Sequence, residues 1–306
     1  MTPVAAIDCG TNSTRLLLVD DDGRPLDRRM QITRLGQGVD ATGVLREDAI
    51  ERTLAVLREY REAMDGRGVT AGRLAATSAA RDAANGAAFL AAASEVTGVA
   101  AELLSGEEEG ELSFAGATAD LDAPLESLVV VDIGGGSTEL VTLVDGAVTA
   151  HSMQVGCVRL TERTMPIDPP DPGSLAAAAA LVDGAIDRAL AAIPSLGAPD
   201  PARRLVGLAG TVSTLAMIDL SLAAYDEAAV HHHWLSLEAI RGWRDALAAD
   251  TIDDRRRRPG MVPGREDVIV AGAVILERVV DRLGVGGCLT SEHDILDGLA
   301  RSVLAR

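Results

Sequence analysis

The chain has 306 residues, a length sufficient for two domains. Of these residues, 47% are hydrophobic but only 2% are aromatic, so the cores must consist mainly of Ala, Leu, Val and Ile. The formal net charge of −18 argues against nucleic-acid binding, which needs a basic surface to release counterions from phosphates. The three cysteines form no CxxC pair and no apolar run reaches the length of a membrane span, so we expect no disulfide, zinc site or membrane partner, and a reducing cytoplasm as the compartment.

The first part of the chain predicts three strands, a helix and a further strand–helix pair. A strand that contains Asp8 turns through glycine into a second strand, RLLLVD. The elements expected after it are a DDG turn, a strand near Met30–Thr33, a helix from Glu47 to about Met64, and a strand at Leu74–Thr77 that runs into another helix.

The second part repeats this order. Residues 130–140, VVDIGGGSTEL, match residues 6–16, AIDCGTNSTRL, at a constant offset. The elements expected after the second copy are the strand ELVTLV, a turn at Asp145-Gly146, a strand near Val148–Met153, a helix from its N-cap Ser174 to about Ala192, and a strand at Leu205–Leu208. Both parts read βββαβα, which predicts two similar lobes, residues 1–124 and 125–306, with the seam near Asp120–Glu126.

The two repeated turns contain the residue types of a phosphate-binding hairpin. Glycines allow close approach of the backbone and direct consecutive N–H groups at one anion. Asp8 and Asp132 stand at strand ends, where a carboxylate can hold Mg²⁺ or its waters. The groups expected to reach phosphate oxygens are the side chains of Thr11, Asn12, Ser13, Ser137 and Thr138 and the backbone of Gly134, Gly135 and Gly136. A plain hairpin turn is the alternative for either copy alone, and the matched pair favours phosphate.

Five strings in chain order carry a family resemblance: DCGTNSTRLL, ATSAARDAAN, SGEEEGELSFAGA, VVDIGGGSTEL and GLAGTVSTLA. Together they resemble the exopolyphosphatase and guanosine pentaphosphate phosphohydrolase family, within the sugar kinase, Hsp70 and actin superfamily. The resemblance covers nearly the whole chain. It implies an α/β fold of two similar actin-like, ribonuclease H-like lobes with the active site in the cleft between them. It also implies Mg²⁺ or another divalent cation as cofactor, and a homodimer.

The resemblance also implies roles for charged residues. Arg81, near the start of a helix, corresponds to a phosphate-binding arginine, although such an arginine is more often a surface residue. Glu109 corresponds to the catalytic base that positions water, with Glu108 as the alternative if the register slips by one residue. Glutamates in the first turn of a helix also stabilise the helix by themselves. Glu139 and Asp132 are implied to bind metal or water.

Other candidates are weaker. Arg15 follows the first turn and is a second candidate for binding phosphate. Gly210 and Thr211 close a strand and open a helix, where amides can meet an anion, although a turn without a ligand explains them equally well. The run Arg255–Arg258 is expected in a solvated loop, with guidance of an incoming polyanion as the alternative.

The chain departs from the family pattern near its end. Relatives often carry Leu-Arg-Glu-Gly where this chain has Ile295-Leu296-Asp297-Gly298, so any phosphate contact made by that arginine is in doubt. The C-terminal helical extension of longer members is also missing. Fewer distal contacts suggest a preference for short substrates.

The sequence therefore predicts an exopolyphosphatase that releases terminal orthophosphate from inorganic polyphosphate by metal-assisted attack of water. Removal of the terminal phosphate of guanosine pentaphosphate is the alternative within the same class. From other classes, the alternatives are a phosphate or nucleotide sensor without turnover and a kinase of the same superfamily.

Overall fold

The computed structural model describes residues 3–305, in which strands and helices alternate. The strands are β1 Val4–Cys9, β2 Ser13–Val19, β3 Pro25–Ile32, β4 Ala71–Ala76, β5 Ala101–Leu103, β6 Leu128–Ile133, β7 Thr138–Val144, β8 Ala147–Met153, β9 Arg204–Leu208, β10 Trp234–Ser236 and β11 Gly287–Thr290. The helices are α1 Val39–Thr42, α2 Glu47–Gly66, α3 Ser78–Asp82, α4 Gly86–Thr97, α5 Gly106–Ala117, α6 Cys157–Thr164, α7 Pro172–Ala192, α8 Ala209–Asp219, α9 Glu227–Val230, α10 Leu237–Ala249, α11 Ile252–Arg256, α12 Ile269–Arg282 and α13 Ile295–Leu304. Within the described range, none of the helices is long and apolar enough to cross a membrane.

The chain forms two compact units. Unit 1 comprises the described residues of Met1–Gly116 and His293–Arg306, and unit 2 comprises Ala117–Glu292. The sequence instead placed the boundary at 124/125 and the last helix in the second lobe. In the structure α13 belongs to unit 1, so the chain leaves this unit after α5 and returns to it at the end.

Unit 1 is built on one mixed sheet with helices on both faces. Its described strands run in the order β3-β2-β1-β4-β5, with β1 antiparallel to β2 and parallel to β4. Because side chains alternate along a strand, Ala5 and Ile7 of β1 pack in the core with α2 and α4, whereas Val4 and Ala6 pack with α13. The apolar second face of this sheet is the physical reason why unit 1 includes α13.

Unit 2 repeats the architecture with one strand more. Its described strands run in the order β10-β11-β9-β6-β7-β8, with β6 antiparallel to β7 and parallel to β9. Starting from β8, the first five strands follow the arrangement of unit 1, and β10 is the additional strand. The predicted α/β fold with two similar actin-like lobes is confirmed.

Two local predictions need correction. The strand expected near Met30–Thr33 begins earlier, at Pro25, because β3 pairs with β2 along nearly its whole length. The helix expected to start at an N-cap Ser174 starts at Pro172 instead. Asp171 is its N-cap, and the carboxylate of Asp171 accepts a hydrogen bond from the backbone N–H of Ser174 at 2.8 Å. Proline at the first helical position favours this start.

Candidate functional site

The two repeated turns have the same geometry. In unit 1 the backbone N–H of Gly10 donates to the carbonyl of Ser13 at 3.0 Å, and in unit 2 the N–H of Gly134 donates to the carbonyl of Ser137 at 3.0 Å. The aspartates Asp8 and Asp132 each lie one residue before the end of the strand that enters the turn. The predicted pair of aspartate-led hairpins is therefore present, one in each unit.

The turn in unit 1 is fixed by the segment that follows β3. The carbonyl of Asn12 accepts hydrogen bonds from the N–H groups of Thr33 and Arg34, and the carbonyl of Thr11 accepts one from Gly36. A Cβ atom at Gly36 would lie 2.3 Å from Cγ2 of Thr11 and 2.9 Å from Cβ of Ala79 in α3. The glycine thus lets the hairpin turn and α3, which carries Arg81, approach each other closely.

In unit 2 the start of α6 has the equivalent role. The N–H of Cys157 donates to the carbonyl of Gly134, and those of Val158 and Arg159 donate to the carbonyl of Gly135. A Cβ atom at Gly156 would lie within 2.5 to 2.6 Å of the backbone of the glycine turn. The carbonyl groups of Gly134 and Gly135 therefore make hydrogen bonds within unit 2.

Three buried polar atoms of unit 1 have no hydrogen-bond partner among the described residues. They are Oδ1 of Asp8, Nδ2 of Asn12 and Nη2 of Arg81. A buried polar atom without a partner costs about 1–3 kcal/mol, so such an atom usually meets a water molecule, an ion or a ligand. One acceptor and two donors suit a ligand with phosphate oxygens and a cation.

Arg15 partly neutralises Asp8. The two residues are cross-strand partners, and Nε and Nη2 of Arg15 donate to Oδ2 of Asp8 at 3.0 and 2.7 Å. Burial raises the pKa of Asp8, the guanidinium of Arg15 opposes this rise, and the carboxylate of Asp294 adds to it. Arg15 is therefore an ion-pair partner within unit 1, and any phosphate that it binds must share it with carboxylates.

The second hairpin carries a carboxylate where the first carries Arg15. Asp132 and Glu139 are direct cross-strand partners, so their side chains lie on the same face of the sheet, and both are buried. Two like charges at such a pair of positions repel each other. The hydroxyl of Ser152 donates to Glu139 at 2.7 Å. Carboxylate oxygens are the ligands that Mg²⁺ prefers, so this pair fits a divalent cation.

Glu108 and Glu109, the two candidates for the catalytic base, have different contacts. Glu108 is exposed, and its carboxylate accepts from the N–H of Ser105 at 2.9 Å while its own N–H donates to the hydroxyl of Ser105 at 3.1 Å. This is a capping box, and these hydrogen bonds lower the pKa of Glu108. Glu109 is buried, and one of its carboxylate oxygens lies 3.4 Å from Nη1 of Arg81. The contacts favour Glu109 as the functional residue.

Among the hydroxyls, Thr138 differs from the expectation. Its hydroxyl donates to the carbonyl of Val155 at 2.6 Å, which ties β7 to the segment after β8. The side chain of Thr138 is fully buried, so the hydroxyl supports the fold and is not a phosphate donor. Ser13 lies at the first position of β2, and Ser137 directly precedes β7.

The side chain of Arg265 packs against the turn at Gly210, and the sequence analysis did not identify this arginine. A Cβ atom at Gly210 would lie 1.8 Å from the guanidinium carbon of Arg265, so this guanidinium lies directly on the glycine. The preceding residue, Ala209, has φ of 66°, a left-handed conformation that is strained for alanine. Thr211, the residue after Gly210, is also buried. The turn therefore places a buried cation next to its backbone.

Arg159 is a second buried arginine that was missed. It lies in α6, the helix whose first residues donate to the carbonyls of the glycine turn. Its Nη1 donates to the side chain of Gln154 at 2.6 Å. Neither Arg159 nor Arg265 lies in a glycine-rich string, so the sequence offers no local signal for them. Two arginines that are almost fully buried near the proposed anion-binding backbone of unit 2 are nevertheless suited to phosphate.

One other expectation is corrected by the contacts. The run Arg255–Arg258 is not a free basic surface: Arg255 is 2% exposed and donates to backbone carbonyls, and the other three are paired with carboxylates. Guidance of a polyanion by this run is therefore not supported. Leu296 is 1% exposed and packs in the core between α13 and the sheet of unit 1.

Comparison with known proteins gives a consistent result along the chain. The sequence profile of the Ppx/GppA phosphatase family matches residues 18–304. Exopolyphosphatase 2 of Mycobacterium tuberculosis is 41% identical over 319 aligned residues, which cover 99% of this chain and 99% of that protein.

Solved structures agree. The crystal structure of an exopolyphosphatase-like protein is 36% identical, with a TM-score of 0.92 and coverage of 100% of this chain and 99% of that chain. The Ppx/GppA family member of Aquifex aeolicus is 31% identical, with a TM-score of 0.80 and coverage of 99% and 98%.

Proposed function

The chain belongs to the Ppx/GppA phosphatase family, and on that premise we propose that it is an exopolyphosphatase that releases the terminal phosphate of inorganic polyphosphate. The observation that carries this proposal is the contact between Glu109 and Arg81. A buried carboxylate beside a guanidinium that has a further unpartnered donor can hold a water molecule and a phosphate oxygen side by side.

In the proposed reaction, Glu109 accepts a proton from water while the water oxygen attacks the terminal phosphorus in line with the leaving oxygen. The bond between that phosphorus and the bridging oxygen breaks, and the shortened chain leaves with the bond electrons. Orthophosphate is the other product. The reaction needs no covalent enzyme intermediate.

Unit 1 supplies the groups that bind the terminal phosphate. Arg81 and the amide of Asn12 each offer a buried donor that has no partner among the described residues. The turn also offers Thr11 and Ser13, and Arg15 is a weaker contributor because Asp8 already shares its guanidinium. Binding by a guanidinium fork orients the terminal phosphate for attack.

Unit 2 supplies carboxylates for the cation and donors for further phosphates. In unit 2, Asp132 and Glu139 would hold Mg²⁺, and the ion would offset negative charge on phosphate oxygens. In unit 1, Asp8 is a further candidate ligand for the divalent cation, because its Oδ1 atom has no hydrogen-bond partner among the described residues. The N–H groups of Gly135 and Gly136, the hydroxyl of Ser137 and the turn at Gly210-Thr211 would bind further phosphates, whereas the N–H of Gly134 already donates to the carbonyl of Ser137. Arg265 would add positive charge at that turn.

The net charge of −18 makes these local donors necessary. The field of the whole chain repels a polyanion, so attraction must come from arginines, backbone N–H groups and the cation. The buried arginines Arg159 and Arg265 supply such charge close to the glycine turns.

The test is incubation of the purified protein with Mg²⁺ in ¹⁸O-labelled water, with polyphosphate, guanosine pentaphosphate, or ATP plus a sugar as substrate. We expect orthophosphate that carries one label, released fastest from polyphosphate. Faster release from guanosine pentaphosphate would favour the alternative substrate. Transfer to the sugar would indicate a kinase, and binding without release would indicate a sensor. Rates on polyphosphates of graded length would test the expected preference for short chains.

A further inference from the structure

The residue that faces the aspartate differs between the two hairpins. Asp8 pairs across the strands with Arg15, whereas Asp132 pairs with Glu139. The first hairpin therefore brings a cation to its aspartate, and the second brings another carboxylate. How strongly Arg15 neutralises Asp8 then decides how much negative charge remains on this carboxylate.

Arg15 lies between two carboxylates of unit 1. Its Nε and Nη2 atoms donate to Oδ2 of Asp8 at 3.0 and 2.7 Å, and its Nη1 donates to Oδ2 of Asp294. The other oxygen of Asp8, Oδ1, is buried and has no hydrogen-bond partner in the described part of the chain. Arg15 thus occupies one side of the Asp8 carboxylate and leaves the other side for a ligand.

Asp294 is held in place because it is the N-cap of α13. Its Oδ1 accepts from the N–H of Leu296 at 2.9 Å, and its own N–H donates to Oδ2 of Asp297 at 2.9 Å, which closes a capping box. A Cβ atom at Gly116 would lie 2.0 Å from the carbonyl oxygen of Asp294, so α5 packs directly on this residue. One oxygen of Asp294 therefore binds the helix and the other binds Arg15.

Asp297 offers a matched comparison. It lies one turn further along α13 and carries the same charge, but both of its oxygens accept from Nη2 of Arg28, at 2.9 and 2.8 Å. Arg28 comes no closer than 4.0 Å to Asp294 in the ion pair between them. Removal of the Asp297 charge should therefore leave the link between Arg15 and Asp8 intact.

We propose that Asp294 is a positioning residue for the Asp8 carboxylate and that it acts through Arg15. This inference rests on the proposed function, in which Asp8 helps to hold the divalent cation. Asp294 draws the guanidinium towards α13 and shares its charge, so that Arg15 neutralises Asp8 only in part. The Asp8 carboxylate then attracts a cation more strongly than it would as the sole partner of Arg15.

The test is the affinity of the full-length protein for Mg²⁺ alone, measured by calorimetric titration without substrate. Asp294→Asn removes the charge but keeps the helix cap, since Asn caps a helix as well as Asp does. We expect its dissociation constant for Mg²⁺ to rise about three- to tenfold. Asp297→Asn should stay within about twofold of wild type, because its arginine does not bind Asp8. In an Arg15→Ala background, Asp294→Asn should cause a clearly smaller rise than in wild type, because only the direct effect of the Asp294 charge on Asp8 remains.

Three results would overturn the inference: unchanged Mg²⁺ affinity in Asp294→Asn, equal weakening in Asp297→Asn, or a rise in the Arg15→Ala background as large as the rise in wild type. Thermal melting of each variant in EDTA identifies variants that fail to fold. The wild-type assays separate this inference from the proposed function. A protein that binds Mg²⁺ with the expected variant pattern but releases no phosphate would contradict the proposed function and support the link through Arg15.

Discussion

Residues 15 and 139 occupy the same place in two copies of one hairpin and carry opposite charges. Arg15 pairs with Asp8 across the first hairpin, and Glu139 pairs with Asp132 across the second. The first pair is attractive, whereas two carboxylates in the second pair repel each other. This difference is the reason why we propose unit 2 as the main site of the cation and unit 1 as the site of the terminal phosphate.

The cysteines give a prediction at the residue scale. Burial raises the pKa of Cys9, Cys157 and Cys288, and the carboxylate of Asp8 raises that of Cys9 further. A raised pKa lowers the fraction of reactive thiolate at any given pH. We therefore expect an aromatic disulfide reagent at about pH 8 to label the native protein negligibly and to label all three cysteines in denaturant. Fast labelling of a native thiol would contradict this.

The candidate residues inside the five sequence motifs could be identified from the sequence. Residues that only tertiary packing brings close to those motifs could not. The aspartates and the turn glycines follow from local chemistry, because a tight turn between strands restricts the residue types. The sequence left open whether Glu108 or Glu109 is the base. The capping box between Glu108 and Ser105 favours Glu109, because it gives Glu108 a role in the helix. Arg265 lies far along the chain from Gly210, and only tertiary packing brings the two together.

At the scale of elements, the crossing of α5 and α13 depends on glycine. A Cβ atom at Gly298 would lie 2.1 Å from the carbonyl oxygen of Leu112, a backbone atom that cannot move without shifting α5. We expect Gly298→Ala to lower the free energy of unfolding by about 1–3 kcal/mol, because overpacking forces the backbone apart. Urea unfolding monitored by circular dichroism would measure it.

Gly242 in α10 is the matched control for this substitution. It also lies inside a helix, but no atom stands within 4 Å of a Cβ placed there. Gly242→Ala should raise the free energy of unfolding by about 0.5–1 kcal/mol, because alanine has the higher helix propensity. Equal effects of the two substitutions would contradict the close crossing.

Element types were predicted more reliably than element ends. The hairpins were predicted because Asp-Gly turns between apolar strands are strong local signals. The N-cap of α7 was misplaced by three residues, because Asp171 caps the helix in place of Ser174. The early start of β3 was missed because its charged residues carry little strand signal. Pairing with β2 determines where this strand begins.

At the scale of the whole molecule, the division of the chain was not readable from sequence. The apolar face of the unit 1 sheet formed by Val4, Ala6, Leu17 and Val19 is covered by α13. No local property of α13 identifies which sheet it covers. An amphipathic helix fits either unit, and only the packing of both units settles the choice.

This organisation leads to a prediction about fragments. The fragment 117–292 contains the complete sheet and core of unit 2, so we expect it to fold alone. The fragment 3–116 lacks α13 and leaves an apolar sheet face uncovered, so we expect it to aggregate or to remain unfolded. Dispersion of amide signals in NMR spectra would report on both. A well-folded monomeric fragment 3–116 would contradict the role given to α13.

The most direct measurement is the rate of orthophosphate release from polyphosphate by Glu109→Gln, compared with wild type and with Glu108→Gln. Loss of the proposed base should lower the rate about 10²–10⁴-fold while substrate still binds. Glu108→Gln removes a neighbouring exposed carboxylate whose partner is Ser105, and it should retain nearly the full rate. Rapid phosphate release by Glu109→Gln, or equal loss in both variants, would contradict the role of Glu109.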